Sequence, residues 1–142
     1  MAADCPLCGS RNGPALWRDE RLRVISAGDA DYPAFLRVIW AGHVREMTDL
    51  GPADRDHLLR VVLTVEEALR ALLRPEKVNL AAFGNQVPHL HWHVIPRFAD
   101  DAHFPEPVWG VRQRAGTPRP LPAGDVTAHL ARVLGPGLAL SP

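Results

Sequence analysis

The segment Val87-Pro88-His89-Leu90-His91-Trp92-His93-Val94-Ile95-Pro96-Arg97 alternates imidazoles with apolar side chains. In an extended strand, successive side chains point to opposite faces. Leu90, Trp92 and Val94 then face a core, and His89, His91 and His93 form a row on the other side. A single histidine on a half-buried strand is ordinary, but three in strict alternation are a much rarer pattern. One metal ion shared by all three is disfavoured by reach. A strand rises about 3.3 Å per residue, which puts the Cα atoms of His89 and His93 about 13 Å apart. Zinc needs each ligand nitrogen at about 2.0–2.1 Å. A catalytic row fits better. The middle imidazole has polar partners on both sides to orient it and set its tautomer. A neutral imidazole nitrogen is a competent nucleophile toward phosphorus, provided the other ring nitrogen holds a proton that a backbone carbonyl can fix. Phosphoryl transfer asks mainly for positioning and charge stabilisation, and amides of the adjoining Gly84-Asn85-Gln86 loop are candidate donors.

Cys5-Pro6-Leu7-Cys8-Gly9 forms half of a zinc knuckle, and a closed tetrahedral site needs two more ligands. The plainer reading is a pair of reduced thiols at one end of the chain. A redox dithiol is disfavoured, since no β-α-β context follows. His57, beside Asp56 on a helix, reads as solvated. His103, near Asp100 and Asp101, reads as a surface-loop residue, and His129 has no assigned role. Arg97 faces phosphate or pairs with Asp100 or Asp101. Trp92 alternates away from the histidines and belongs to the core, whereas Trp109 is a candidate contact near the site or across a dimer.

The elements that must hold these residues follow from patterning. Trp17 to Ser26 reads as a hairpin with Arg18-Asp19-Glu20-Arg21 at its tip. Phe35 to Ala41 is β-branched and aromatic, hence a buried strand. Gly51-Pro52 opens a helix that runs to about Leu73, with Leu58, Leu59, Val62, Val65, Leu69 and Leu72 at helical spacing. Val78 to Phe83 and His89 to Ile95 read as further strands, the second ended by Pro96. From Phe104 onward the chain is Pro- and Gly-rich, extended or loosely packed, with one short amphipathic helix near Asp125 to Leu134. Strands, one long helix and more strands, without β-α-β repetition, make an α+β protein with an antiparallel sheet.

Composition narrows the function. The 142 residues suit one domain, and 46% apolar content can fill a core. The formal net charge is zero, which gives no basic field for nucleic acid. No apolar run of about 18 residues is present, so nothing spans a membrane. The first residues hold no apolar stretch of a secretory signal, so the chain reads as cytoplasmic, with reduced cysteines. Lys77 is the single lysine among 16 basic residues.

The run from His89 to Ile95 resembles the signature of the histidine-triad (HIT) family, and the resemblance extends from Asp4 to about Trp109. Phe35 to His43 is similar to the family's buried strand, and the long helix and the Asn79 strand follow in the family's order. The run Gly84 to His93 looks like a bacterial branch described as diadenosine-polyphosphate-hydrolase-like. The resemblance implies a HIT domain over residues 1–112, a C-terminal extension over 113–142, and a homodimer. It implies a nucleotide hydrolase or transferase acting on a dinucleoside polyphosphate, a nucleoside phosphoramidate or an adenylylated conjugate. His91 would carry the nucleotidyl group, His93 would contact phosphate, and His89 would be an outer partner. Asn79, Asn85 and Gln86 would contact substrate. No cofactor is required for the chemistry. The resemblance also implies a structural zinc ion on Cys5, Cys8, His43 and His89. Two departures stand out. The loop between Asn79 and His89 is one residue short, and both Asp29 and Asp31 are candidates for the acidic residue that holds ribose. Two other functions stay open: a nucleotide-binding regulatory module with little turnover, and a zinc-stabilised interaction protein.

Overall fold

The structure, a computed structural model, describes residues 2–140. Met1, Ser141 and Pro142, the outermost residues of the two expected segments, lie outside the described residues. The elements run α1 (Pro6–Gly9), β1 (Trp17–Arg18), β2 (Leu22–Ser26), β3 (Leu36–Trp40), a 3-10 turn at Met47–Asp49, α2 (Pro52–Leu73), β4 (Lys77–Ala81), β5 (His91–Arg97) and α3 (Ala123–Leu134). The five strands form one antiparallel sheet in the order β1-β2-β3-β5-β4. The α+β reading holds.

Helix α2 starts at Pro52, whose missing N–H would be unpaired there anyway, and ends on Arg74 in the left-handed region at φ 50°. Its buried stripe of Leu58, Val61, Val62, Val65, Ala68 and Leu69 lies on one face of the sheet. Leu22, Val24, Leu36, Val38, Trp40 and Val94 supply that face. Each large aliphatic side chain buried there contributes about 1.5–3 kcal/mol.

Pleating sends the alternate residues to the opposite face. There Ile25, Arg37, His93 and Ala81 lie in one transverse row, and Arg23, Ile39 and His91 in the next. The core therefore sits under the helices, and the polar row lies on the far side of the sheet.

Three expectations are corrected. Strand β5 begins at His91, not His89, and continues through Pro96 to Arg97. Pro96 is tolerated because β3 pairs only as far as Val94. The Arg97 carbonyl accepts from Glu76 N on the β4 side, so the ring of Pro96 faces the side that β3 has left. The tail is irregular and mostly exposed over 105–120, as expected, but its last part is firmly packed. Helix α3 buries Val126 and Leu130 in the main core. Trp17 Nε1 donates to Gly135 O at 3.0 Å, and Thr127 Oγ1 donates to Leu16 O at 2.7 Å. Gly137, at φ 68°, lies where any Cβ would collide with the Arg18 carbonyl. His57 is not solvated either: it meets Asp19 at 2.6 Å with little exposure on either side chain.

Candidate active site

Two of the three histidines share a face. His91 and His93 stand edge to face, with ring centroids 4.9 Å apart. His91 Nδ1 lies 2.6 Å from the His89 carbonyl. A carbonyl can only accept, so Nδ1 carries the hydrogen, and in the neutral ring it is Nε2 that holds the lone pair. His93 is buried, and its ionisation is pushed down to about 4 by burial first, then by the neighbouring His91 and Arg37. It is neutral at ordinary pH.

His91 and His93 line a cleft of roughly 380 Å³ with Asn85, Gln86, Arg37, Phe83 and Trp109 among its walls. The turn below it depends on Gly84, at φ 76°. Phe83 and Trp109 are more than half exposed and meet at 4.9 Å and 86°. Trp109 stands 5.1 Å from His93 and 6.2 Å from Phe35. The cleft thus has an aromatic wall, a polar loop and two imidazoles, of which His93 is neutral.

Asn79 lies on the same face of the sheet but outside this cleft. Its Oδ1 accepts from Arg97 at 2.9 Å, and it lines an adjoining groove that shares Phe83 and Trp109. Arg97 is buried in an ion pair with Asp101 at 2.8 Å, which selects the ion-pair reading over the phosphate one. Burial alone would raise the Asp101 carboxyl. The Arg97 guanidinium and the amides of Phe98, His103 and Phe104 more than offset that and hold it well below the usual carboxylate range. Tyr32 joins the network through Asp101 Oδ1 at 3.1 Å and His103 Nδ1 at 2.7 Å, so His103 is not a plain surface residue. Of the two ribose candidates, Asp31 pairs with Arg112, while Asp29 acts electrostatically on Arg37.

His89 departs from the row. It is fully buried and lies in the approach to β5. Its Nε2 donates to Trp40 O at 2.6 Å, so Nδ1 is the bare nitrogen. That nitrogen is 3.5 Å from both Cys5 Sγ and Cys8 Sγ and 3.3 Å from His43 Nδ1, and Cys8 Sγ is 3.4 Å from His43 Nδ1. A tetrahedral zinc with bonds of about 2.3 Å to sulfur and about 2.05 Å to nitrogen would separate S and N by about 3.5 Å and N and N by about 3.3 Å. The four ligand atoms all lie within 4.8 Å of one another, so the donor set fits zinc. A carbonyl on the far nitrogen of His89 is the usual outer partner of a metal-bound imidazole.

Sequence reasoning missed Arg37 and Phe83. Arg37 is the one charged residue in an otherwise apolar strand segment, which is a signal. Its position opposite His93 needed the register.

The HIT domain pattern matches residues 12–100, which leaves Cys5, Cys8 and Trp109 outside the matched span. Among solved structures, the chain is similar to a histidine triad protein from Bradyrhizobium japonicum. Identity is 32% over 83% of this chain and 87% of that one, with a TM-score of 0.66. It is similar to a histidine triad protein from Marinobacter aquaeolei at 29% identity, 84% and 87% coverage, and TM-score 0.65. A Zn-bound histidine triad family protein from Mycobacterium smegmatis shares the fold at 23% identity, 92% and 95% coverage, and TM-score 0.64. No curated protein matches the chain at a significant level.

Proposed function

The chain belongs to the HIT domain family, and from that premise we propose that it cleaves a nucleoside phosphoryl bond through a nucleotidyl group carried on His91. The observation that carries this reading is the hydrogen bond from His91 Nδ1 to the His89 carbonyl, because it leaves the Nε2 lone pair for attack. Nε2 forms a bond to the α-phosphorus as the bond to the leaving group breaks and that group departs with its electron pair. Water or another acceptor then attacks the same phosphorus. With water, the products are a nucleoside monophosphate, a released proton and the neutral imidazole.

His93, held neutral, hydrogen-bonds the phosphoryl group, and Asn85 and Gln86 meet the leaving group from their loop. His89 acts through its carbonyl. Asn79 keeps its Nδ2 donor for substrate reaching the adjoining groove. The substrate is a dinucleoside polyphosphate, a nucleoside phosphoramidate or an adenylylated conjugate. The run from Gly84 to His93 favours the diadenosine-polyphosphate-hydrolase-like branch. In this reading Cys5, Cys8, His43 and His89 hold a zinc ion. Bound there, zinc cross-links the start of the chain to the approach of β5, and no step of the reaction runs through it. The protein acts as a cytoplasmic homodimer.

The test is intact-protein mass after mixing with a fluorogenic adenosine phosphoramidate or a dinucleoside polyphosphate and quenching. A nucleotidyl adduct is expected. His91→Ala should abolish it and lower kcat at least about 10³-fold. Full activity in His91→Ala ends the mechanism. Tight nucleotide binding with neither adduct nor product would make the chain the low-turnover binding module instead.

A further inference from the structure

The site face of the sheet carries four arginines: Arg18, Arg23, Arg37 and Arg97. Three of them are engaged. Arg18 donates to Arg11 O and Gly13 O. Arg23 donates to Leu7 O and Ser10 Oγ. Arg97 is held by Asp101, Asn79 and Glu106 O. Arg37 is not. Its Nε is closed off from solvent without a partner. Among the described residues it forms no ion pair. Burial lowers its ionisation from the ordinary guanidinium value, and Asp29 pushes back from beyond ion-pair distance. Desolvated charges are normally paired, so this one is set for a partner the chain does not supply.

Its position identifies that partner. Arg37 lies directly opposite His93, which places their Cβ atoms about 5 Å apart and puts His91 on the diagonal at about 7–8 Å. It lines the cleft with both imidazoles. Its guanidinium carbon sits over the Phe35 ring, 5.5 Å from the centroid, and with Nε closed off the terminal Nη groups are the donors it can offer a ligand in the cleft. A planar fork of donors matches two oxygens of a phosphate. We propose that Arg37 binds a second phosphate of the substrate, beyond the one that His91 attacks. This rests on the nucleotidyl-transfer reading above and deepens it, because it makes the site selective for substrates with two phosphates over those with one. The second phosphate comes either from the next unit of a polyphosphate chain or from an ester on the ribose. The shared chemistry is a phosphate anion with two free oxygens within reach of the guanidinium edge.

The experiment is titration calorimetry on the full chain with AMP, ADP and adenosine 3′,5′-bisphosphate. At least one two-phosphate probe should bind about tenfold or more tighter than AMP, the gain expected of a charge-assisted hydrogen bond. ADP as the tighter ligand assigns the polyphosphate chain, and the bisphosphate assigns the ribose ester. The preference should vanish in Arg37→Gln and return in part in Arg37→Lys. In parallel, the ratio of kcat/KM for diadenosine tetraphosphate to that for the phosphoramidate should fall about tenfold in Arg37→Gln if the chain supplies the phosphate. Equal affinity of the unaltered protein for all three probes overturns the proposal without any variant. So does failure of both two-phosphate probes to bind, or a preference that survives Arg37→Gln. An absent adduct on His91 would sink the catalytic reading alone, since the binding preference is measured without turnover.

Discussion

At the scale of the residue, one carbonyl decides what each imidazole can do. His91 gives its Nδ1 hydrogen to His89 O and presents Nε2, whereas His89 gives its Nε2 hydrogen to Trp40 O and presents Nδ1. The same side chain thus offers opposite ring nitrogens, one on the cleft and the other beside the two cysteines. His93 is set by burial instead, with an ionisation near 4 against about 6.5 in an unfolded chain. Between those values the unfolded chain holds a proton that the folded one refuses. Stability therefore falls as pH drops from about 6.5 toward 4 and this contribution levels off below. An NMR titration should find the His93 imidazole titrating near 4. In urea denaturation, the midpoint of His93→Gln should fall less between neutral pH and about pH 4.5 than that of the unaltered protein, because the variant lacks this penalty. Equal acid sensitivity of the two would show that His93 is not responsible.

At the scale of the element, the four candidate metal ligands come from segments that are not strands. The start of the chain brings Cys5 and Cys8 in and around α1, the exit from β3 brings His43, and the approach to β5 brings His89. A metal there would fix the residue whose carbonyl orients His91. Protein purified without chelator should carry about one zinc per chain, the stoichiometry of a closed four-ligand site. Cys8→Ser should lose it, melt about 10 °C lower, and turn over about tenfold more slowly. Elemental analysis and thermal melting read the first two, and unchanged metal content would refute the assignment. On the other side of the cleft, the buried Arg97–Asp101 pair and Tyr32 anchor the segment that carries Trp109 to the end of β5. The aromatic wall is thereby tied to the sheet rather than left on a free loop.

At the scale of the whole molecule, α3 completes the core that α2 begins. Val126 and Leu130 are fully buried in it, so Leu130→Ala should cost about 2–5 kcal/mol in urea denaturation. A loss under about 0.5 kcal/mol would mean that the tail is dispensable. Strand β4 ends the sheet, and Leu80 on it, with Leu59 and Leu63 on α2, remains exposed. An edge strand carrying an exposed leucine is where the proposed second copy of the chain would add. Sedimentation should give twice 15.6 kDa, and Leu80→Arg should shift the population toward monomer. No helix among the described residues is long and apolar enough to cross a membrane.

Much of this was legible in residue order. Alternation along Leu90 to Val94, the helical spacing from Leu58 to Leu69 and the Gly51-Pro52 start are local signals, because strand pleat and helix pitch act on neighbours in sequence. They led to the α+β sheet and to His91 facing out of the core. What alternation could not reveal was the fate of His89, which lies outside the strand with its ring 3.5 Å from Cys5 Sγ, 84 residues away in sequence. Nor could it reveal Pro96 inside β5, which is allowed only because β3 stops pairing first. Arg37 reads as an oddity in an apolar run until strand register sets it against His93. Register, closure over long separations and the burial of α3 arise from contacts between distant segments, and only the folded chain decides them.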